Sequence, residues 1–133
     1  NFHCYEPMVF THQGAYWVED MPLDFRIGYP KSLAEYRKTS TELSKALAGA
    51  VFKEGISDIG PAFFADIFAP AVEAAKKAGV RLYCGVIELA SQEDKDRWLA
   101  DISKAFDTFG VGRALWNYKE KDFGIVTKDF PNT

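Results

Sequence analysis

Two glycines that end helical patterns and hand over directly to apolar runs constrain this chain more than any other feature. The periodic segment that begins at Gly60-Pro61 stops at Gly79 and runs into Val80–Val86. The segment that begins at Ser91 stops at Gly110 and runs into Val111–Tyr118. With a short strand over residues 1–5 ahead of both, the order is strand, helix, strand, helix, strand. A helix between successive strands returns the chain to the edge where the previous strand began, so the strands lie parallel and the crossovers are right-handed. The expectation is an α/β layer with three parallel strands, near residues 1–5, 80–86 and 112–117, and helices on one side.

Local signals refine that outline. Ser32 with Glu35 and Thr39 with Glu42 each match a capping box, which predicts two helical pieces over 33–38 and 40–54. Leu43, Ala46, Leu47, Ala50 and Val51 form the apolar stripe of the second, and Gly55 is its stop. Pro61 suits the first position of the next helix, whose inner face is Phe63, Phe64, Ile67, Phe68, Val72, Ala75 and Ala78. Pro70 falls inside that pattern and predicts a kink or a restart. Ser91 with Asp94 opens the last helix, with Trp98, Ile102, Ala105, Phe106 and Phe109 facing inward. Residues 6–31 read as a long irregular excursion rich in aromatics, and loops of that length in compact domains are usually functional.

The 133 residues suffice for one domain, read as 1–133, and contain no internal repeat. A chain that is 47% hydrophobic and 15% aromatic has the means to build a core and to present ring faces to a ligand. The net charge of −3, with no run of Lys or Arg, argues against nucleic acid as a partner. The apolar runs fall far short of a membrane span. There is neither a signal peptide nor an initiator Met, so the chain reads as processed, truncated or excerpted, and its compartment is not legible. Cys4 and Cys84 are too isolated for a metal signature and read as free, buried thiols, with Cys4 on the strand face opposite His3 and Tyr5. His12 has no second metal ligand nearby in sequence, so no metal is assigned.

Three stretches carry a resemblance. They are Phe2-His3-Cys4-Tyr5-Glu6-Pro7 with Phe10-Thr11-His12-Gln13-Gly14; Leu82-Tyr83-Cys84-Gly85; and Gly112-Arg113-Ala114-Leu115-Trp116-Asn117-Tyr118-Lys119-Glu120 with Asp122-Phe123-Gly124. In this order and spacing the chain resembles glycoside hydrolase family 5, the cellulase-like (β/α)8 barrels. It looks like the C-terminal part of one, from about the sixth strand through the eighth. The resemblance implies a TIM-barrel portion from a retaining hydrolase of the endo-β-1,4-glucanase kind. It implies no cofactor, and a β-linked polysaccharide or oligosaccharide as ligand. Three strands cannot close a barrel of about 250 residues. The expected protein partner is therefore the N-terminal half of such a barrel or further copies of this chain. A polymer substrate would point to secretion.

The same resemblance assigns candidate site residues. His3 and Tyr5 match a cleft-lining pair that bonds the catalytic carboxylate or the sugar. Trp116 matches an aromatic platform, and Trp17 on the long loop is a candidate extension of it. Glu6 reads as a structural or cleft-rim carboxylate, and Trp98 as core. In the family, the equivalent of Gly85 is followed by the nucleophilic Glu, an aromatic residue and Gly. Here Val86-Ile87-Glu88 follows at once. Either three residues including the nucleophile are missing, or a shifted register puts Glu88 in its place. Deletion leaves Val86-Ile87-Glu88 aligned with the family's continuation and needs no shift. The acid/base glutamate belongs to an earlier strand, so this chain is expected to lack both catalytic carboxylates. A non-catalytic carbohydrate-binding pseudo-enzyme and a structural fragment are the alternatives.

Overall fold

The computed structural model describes residues 2–47, 55, 57–86 and 91–115. Strand β1 (Phe2–Cys4) leads through a four-residue helix α1 (Met8–Thr11) and a series of turns to helix α2 (Leu33–Leu43). A 3-10 turn (Lys45–Leu47) follows, then α3 (Pro61–Ala78), β2 (Tyr83–Val86), α4 (Gln92–Phe109) and β3 (Gly112–Leu115). The strands form one sheet in the order β1-β2-β3, and both pairings are parallel. The expected α/β architecture is thus present in the described residues.

Register decides which side chains meet the helices. Phe2, Cys84 and Arg113 form one row across the sheet. Phe2 packs edge-on against Phe68 of α3, and the Arg113 guanidinium lies 5.6 Å from the centroid of Phe106 in α4. That row therefore faces the helices, which pack on each other through the stacked rings of Phe68 and Phe106, 5.0 Å apart. The next row, His3, Gly85 and Ala114, points the other way. On that second face His3 is exposed and Tyr83 keeps 44% of its surface in solvent.

The core lies between the sheet and the two long helices. Phe63, Phe64, Phe68, Trp98, Ile102 and Phe106 are all essentially without solvent contact. Burying each such side chain contributes about 1.5–3 kcal/mol before entropy is counted. Gly79 and Gly110 end α3 and α4 at φ +66° and +61°, a left-handed geometry that costs a residue with a Cβ about 1 kcal/mol or more.

Several expectations are corrected. Leu33–Leu43 is one helix, not two pieces meeting at Thr39. The Ser32–Glu35 box forms in full, with the Glu35 amide donating to Ser32 Oγ and the Ser32 amide to the Glu35 carboxylate. Thr39 instead donates its hydroxyl back to the Glu35 carbonyl at 2.9 Å, so it continues the helix rather than capping a new one. Replacing Ser32 by Ala should cost about 1 kcal/mol in urea unfolding, and replacing Thr39 by Ala under about 0.5 kcal/mol. Equal losses would contradict this assignment. In the predicted second stripe Leu47 is buried but Ala46 is exposed, and Ala50 and Val51 lie outside the described residues. Pro70 causes no restart, because its ring sits on the exposed side of an unbroken α3. Ala78 is exposed rather than inward. The second strand begins at Tyr83, not Val80, whose side chain is 61% exposed. The excursion over residues 6–31 is not wholly irregular, since α1 folds within it.

Candidate functional site

Strand alternation puts His3 and Tyr5 on the side of the sheet that no described helix covers, where the chain leaves the C-terminal end of β1. Their rings lie nearly parallel, with centroids 5.8 Å apart and planes at 19°. The Tyr5 hydroxyl is 3.1 Å from His3 Nδ1. Cys4, between them, points into the core. Burial pushes its thiol and that of Cys84 up to about 12, so both are un-ionised and inert at neutral pH.

The turn after β1 adds a third ring that the sequence reading did not include. Pro7 O accepts from the Phe10 and Thr11 amides, which closes α1 and carries the chain back over Tyr5. The Thr11 hydroxyl donates to Tyr5 O at 2.5 Å. His12 then stands edge-on to Tyr5 at 5.5 Å and 90°. His12 Nδ1 is 2.9 Å from Thr11 Oγ1. With the one hydroxyl proton committed to Tyr5 O, His12 Nδ1 is the donor in that contact. Burial holds the His12 pKa below its usual value, so the ring is neutral at pH 7, and burial likewise raises that of Tyr5. His12 and Tyr5 thus offer neutral donors and acceptors beside ring faces, chemistry suited to hydroxyl-rich ligands. His12 could have been found from its place one residue beyond a short turn that starts at Pro7.

The other candidates fall elsewhere. Trp17 is 42% exposed and packs edge-on against Tyr16, itself 74% exposed, with centroids 4.8 Å apart. Glu6 sits half-buried where the chain is tied to α4, its carbonyl accepting from Trp98 Nε1 at 2.8 Å. Trp98 is core. Glu88 and Trp116 lie outside the described residues. Among the described residues, no group of His, Cys, Asp and Glu is placed to hold a metal ion, and no helix is long and apolar enough to cross a membrane.

No protein-family model matches the chain. Similarity to individual proteins is nevertheless clear. Cellodextrinase A of Ruminococcus flavefaciens is 34% identical over 116 residues, which cover 85% of this chain and 27% of that protein. Endoglucanase C of Acetivibrio thermocellus is 32% identical over 136 aligned positions, covering 97% of this chain and 38% of that protein. Endoglucanase C307 of Clostridium sp. (strain F1) matches to the same extent. The chain therefore spans about a third of the length of the curated relatives it matches. The 136 aligned positions exceed the 133 residues of this chain, so Endoglucanase C carries residues inside the aligned segment that this chain lacks. A solved endoglucanase structure superimposes with a TM-score of 0.62 at 22% identity, over 95% of this chain and 33% of that one. That likeness concerns the fold.

Proposed function

We propose that residues 1–133 correspond to the C-terminal part, about strands six to eight, of a (β/α)8-barrel glycoside hydrolase of the family 5 type. In the complete enzyme this part would serve retaining hydrolysis of β-1,4-glucan. The observation that carries the reading is the stacked His3–Tyr5 pair on the open side of a parallel sheet, at its C-terminal end. Barrel enzymes place their active sites at that end of the strands. The similarity to a cellodextrinase and to endoglucanases supports glucan as the ligand. On this reading His3 and Tyr5 bond sugar hydroxyls or the catalytic carboxylate, and Trp116 supplies a ring face to the C–H side of a sugar. Trp17 extends the cleft. Glu88 is a nucleophile only under the shifted register.

A second reading has a specific observation behind it. Val86 occupies the place after Gly85 where the family's nucleophile belongs, which favours a carbohydrate-binding pseudo-enzyme. Electrophoresis of the chain through gels with and without soluble β-glucan tests the glucan binding that both readings share. Retardation by glucan without release of reducing ends is expected. Retardation with turnover would favour the intact hydrolase, and migration unaffected by glucan would overturn both.

A further inference from the structure

A groove of about 630 Å³ opens between the segment after α1 and the first turn of α4. Its volume lies within the roughly 300–1,000 Å³ of small-ligand sites. Gln13, Arg26, Gly28, Asp94 and Lys95 are among the residues that line it. Both walls leave the C-terminal end of the sheet, as does the chain at Tyr5.

The walls are fixed before any ligand arrives. Gln13 uses both ends of its amide as a strut, donating from Nε2 to Phe10 O at 2.8 Å and accepting from the Ile27 amide at 3.0 Å. The Tyr36 hydroxyl holds Gly28 O at 2.9 Å, and the Tyr29 hydroxyl donates to Asp101 of α4 at 2.8 Å. Arg26 is pinned by Nη1, which donates to the Leu23 and Phe25 carbonyls at 3.0 and 2.6 Å. Its guanidinium forms no ion pair with a carboxylate among the described residues. Across the groove, Asp94 Oδ1 accepts from Arg97 at 3.2 Å, while Oδ2 is turned toward Gly28. Lys95 is nine-tenths buried in the same wall.

The Arg26 guanidinium and the Asp94 carboxylate both line the groove, beside Gly14 and Gly28, and form a mixed-charge set. A bare anion would meet Asp94, and an apolar ligand would strand the charges. Neighbouring hydroxyls of a sugar satisfy both sides at once, one accepting from Arg26 and the next donating to Asp94. We propose that this groove is a sugar subsite separate from the His3–Tyr5 pair, which takes a further glucosyl unit of a β-linked gluco-oligosaccharide. The proposal rests on the reading of the chain as glucan-binding and adds a second point of attachment.

The test is a titration of the ¹⁵N-labelled chain with cellotetraose, read from amide chemical shifts. Shifts at Gly14, Gly28 and Asp94 are expected in addition to those near His3 and Tyr5. Arg26→Gln should weaken the groove response about tenfold, the scale of one charge-assisted hydrogen bond, and leave the His3–Tyr5 response in place. Arg26 is exposed, so its replacement should not unfold the chain. Gly28→Val is the independent variant, since its branched side chain enters the groove from a residue whose Cβ would meet only Asp94 Oδ2, at 3.7 Å. Shifts confined to the His3–Tyr5 end, or a groove response that survives both variants, would overturn the subsite while leaving glucan binding intact. No shift anywhere would overturn both.

Discussion

Incubated with a soluble cellulose derivative, the 133-residue chain is expected to release no reducing sugar above buffer, and Glu88→Gln should change nothing. Double displacement needs one carboxyl group to protonate the leaving oxygen and a second to attack the anomeric carbon, about 5–5.5 Å away. By the family resemblance the acid/base glutamate lies on a strand that precedes β1. By the same resemblance the nucleophile would follow Gly85, where this chain has Val86, a side chain that can neither attack nor stabilise an oxocarbenium-like charge. On the proposed reading, adding the part of Endoglucanase C that lies outside the aligned segment should supply an acid/base but not the nucleophile, so activity of the mixture should stay weak. Robust turnover by that mixture, abolished by Glu88→Gln, would establish the shifted register and contradict the deletion.

Trp98→Ala is expected to cause the largest loss of stability of any single replacement considered, about 3–5 kcal/mol in urea unfolding. Trp98 has no solvent exposure and stands edge-on to Phe64 at 5.9 Å. Its Nε1 also donates to Glu6 O, which ties the turn after β1 to α4. Truncation therefore opens a cavity and strips a carbonyl of its donor in the same step. Small domains hold only about 5–15 kcal/mol in total, so the variant should unfold at a much lower urea concentration than the unmodified chain. Trp98→Phe, which refills most of the space but not the hydrogen bond, should fall between the two. A loss below about 1 kcal/mol for Trp98→Ala would contradict the role given to this residue. The tie also reaches the candidate site, because Glu6 directly follows Tyr5.

The fold was legible where local and tertiary preferences agree. Gly79 and Gly110 ended their helices as read, and the inward stripe of α4 was found because its apolar spacing keeps the helical period from Trp98 to Phe109. Reading failed where one local signal has two uses. A Thr followed three residues later by Glu can cap a helix or continue it, and only the bond from Thr39 back to the Glu35 carbonyl decides between them. Val80 and Leu82 look like strand residues, but β2 begins only at Tyr83, which pairs with Gly112, and Val80 is left in solvent. The shared face of His3 and Tyr5 followed from strand alternation, and their choice as a candidate pair from the family resemblance. His12 and the Arg26–Asp94 groove did not. His12 returns to Tyr5 through the short turn that starts at Pro7, and the groove needs the segment after α1 to meet α4; no periodicity in the sequence marks either return.

The central claim is that the open side of the parallel sheet, at His3 and Tyr5, is a glucan-binding surface. Its most direct test is the double replacement His3→Ala, Tyr5→Phe, measured for glucan retardation and for urea stability on the same preparation. His3 is exposed and Tyr5 only half-buried, so stability should change by less than about 1 kcal/mol. The account predicts that retardation by soluble β-glucan is lost while the fold is kept. A stably folded double variant that is retarded as strongly as the unmodified chain would contradict it.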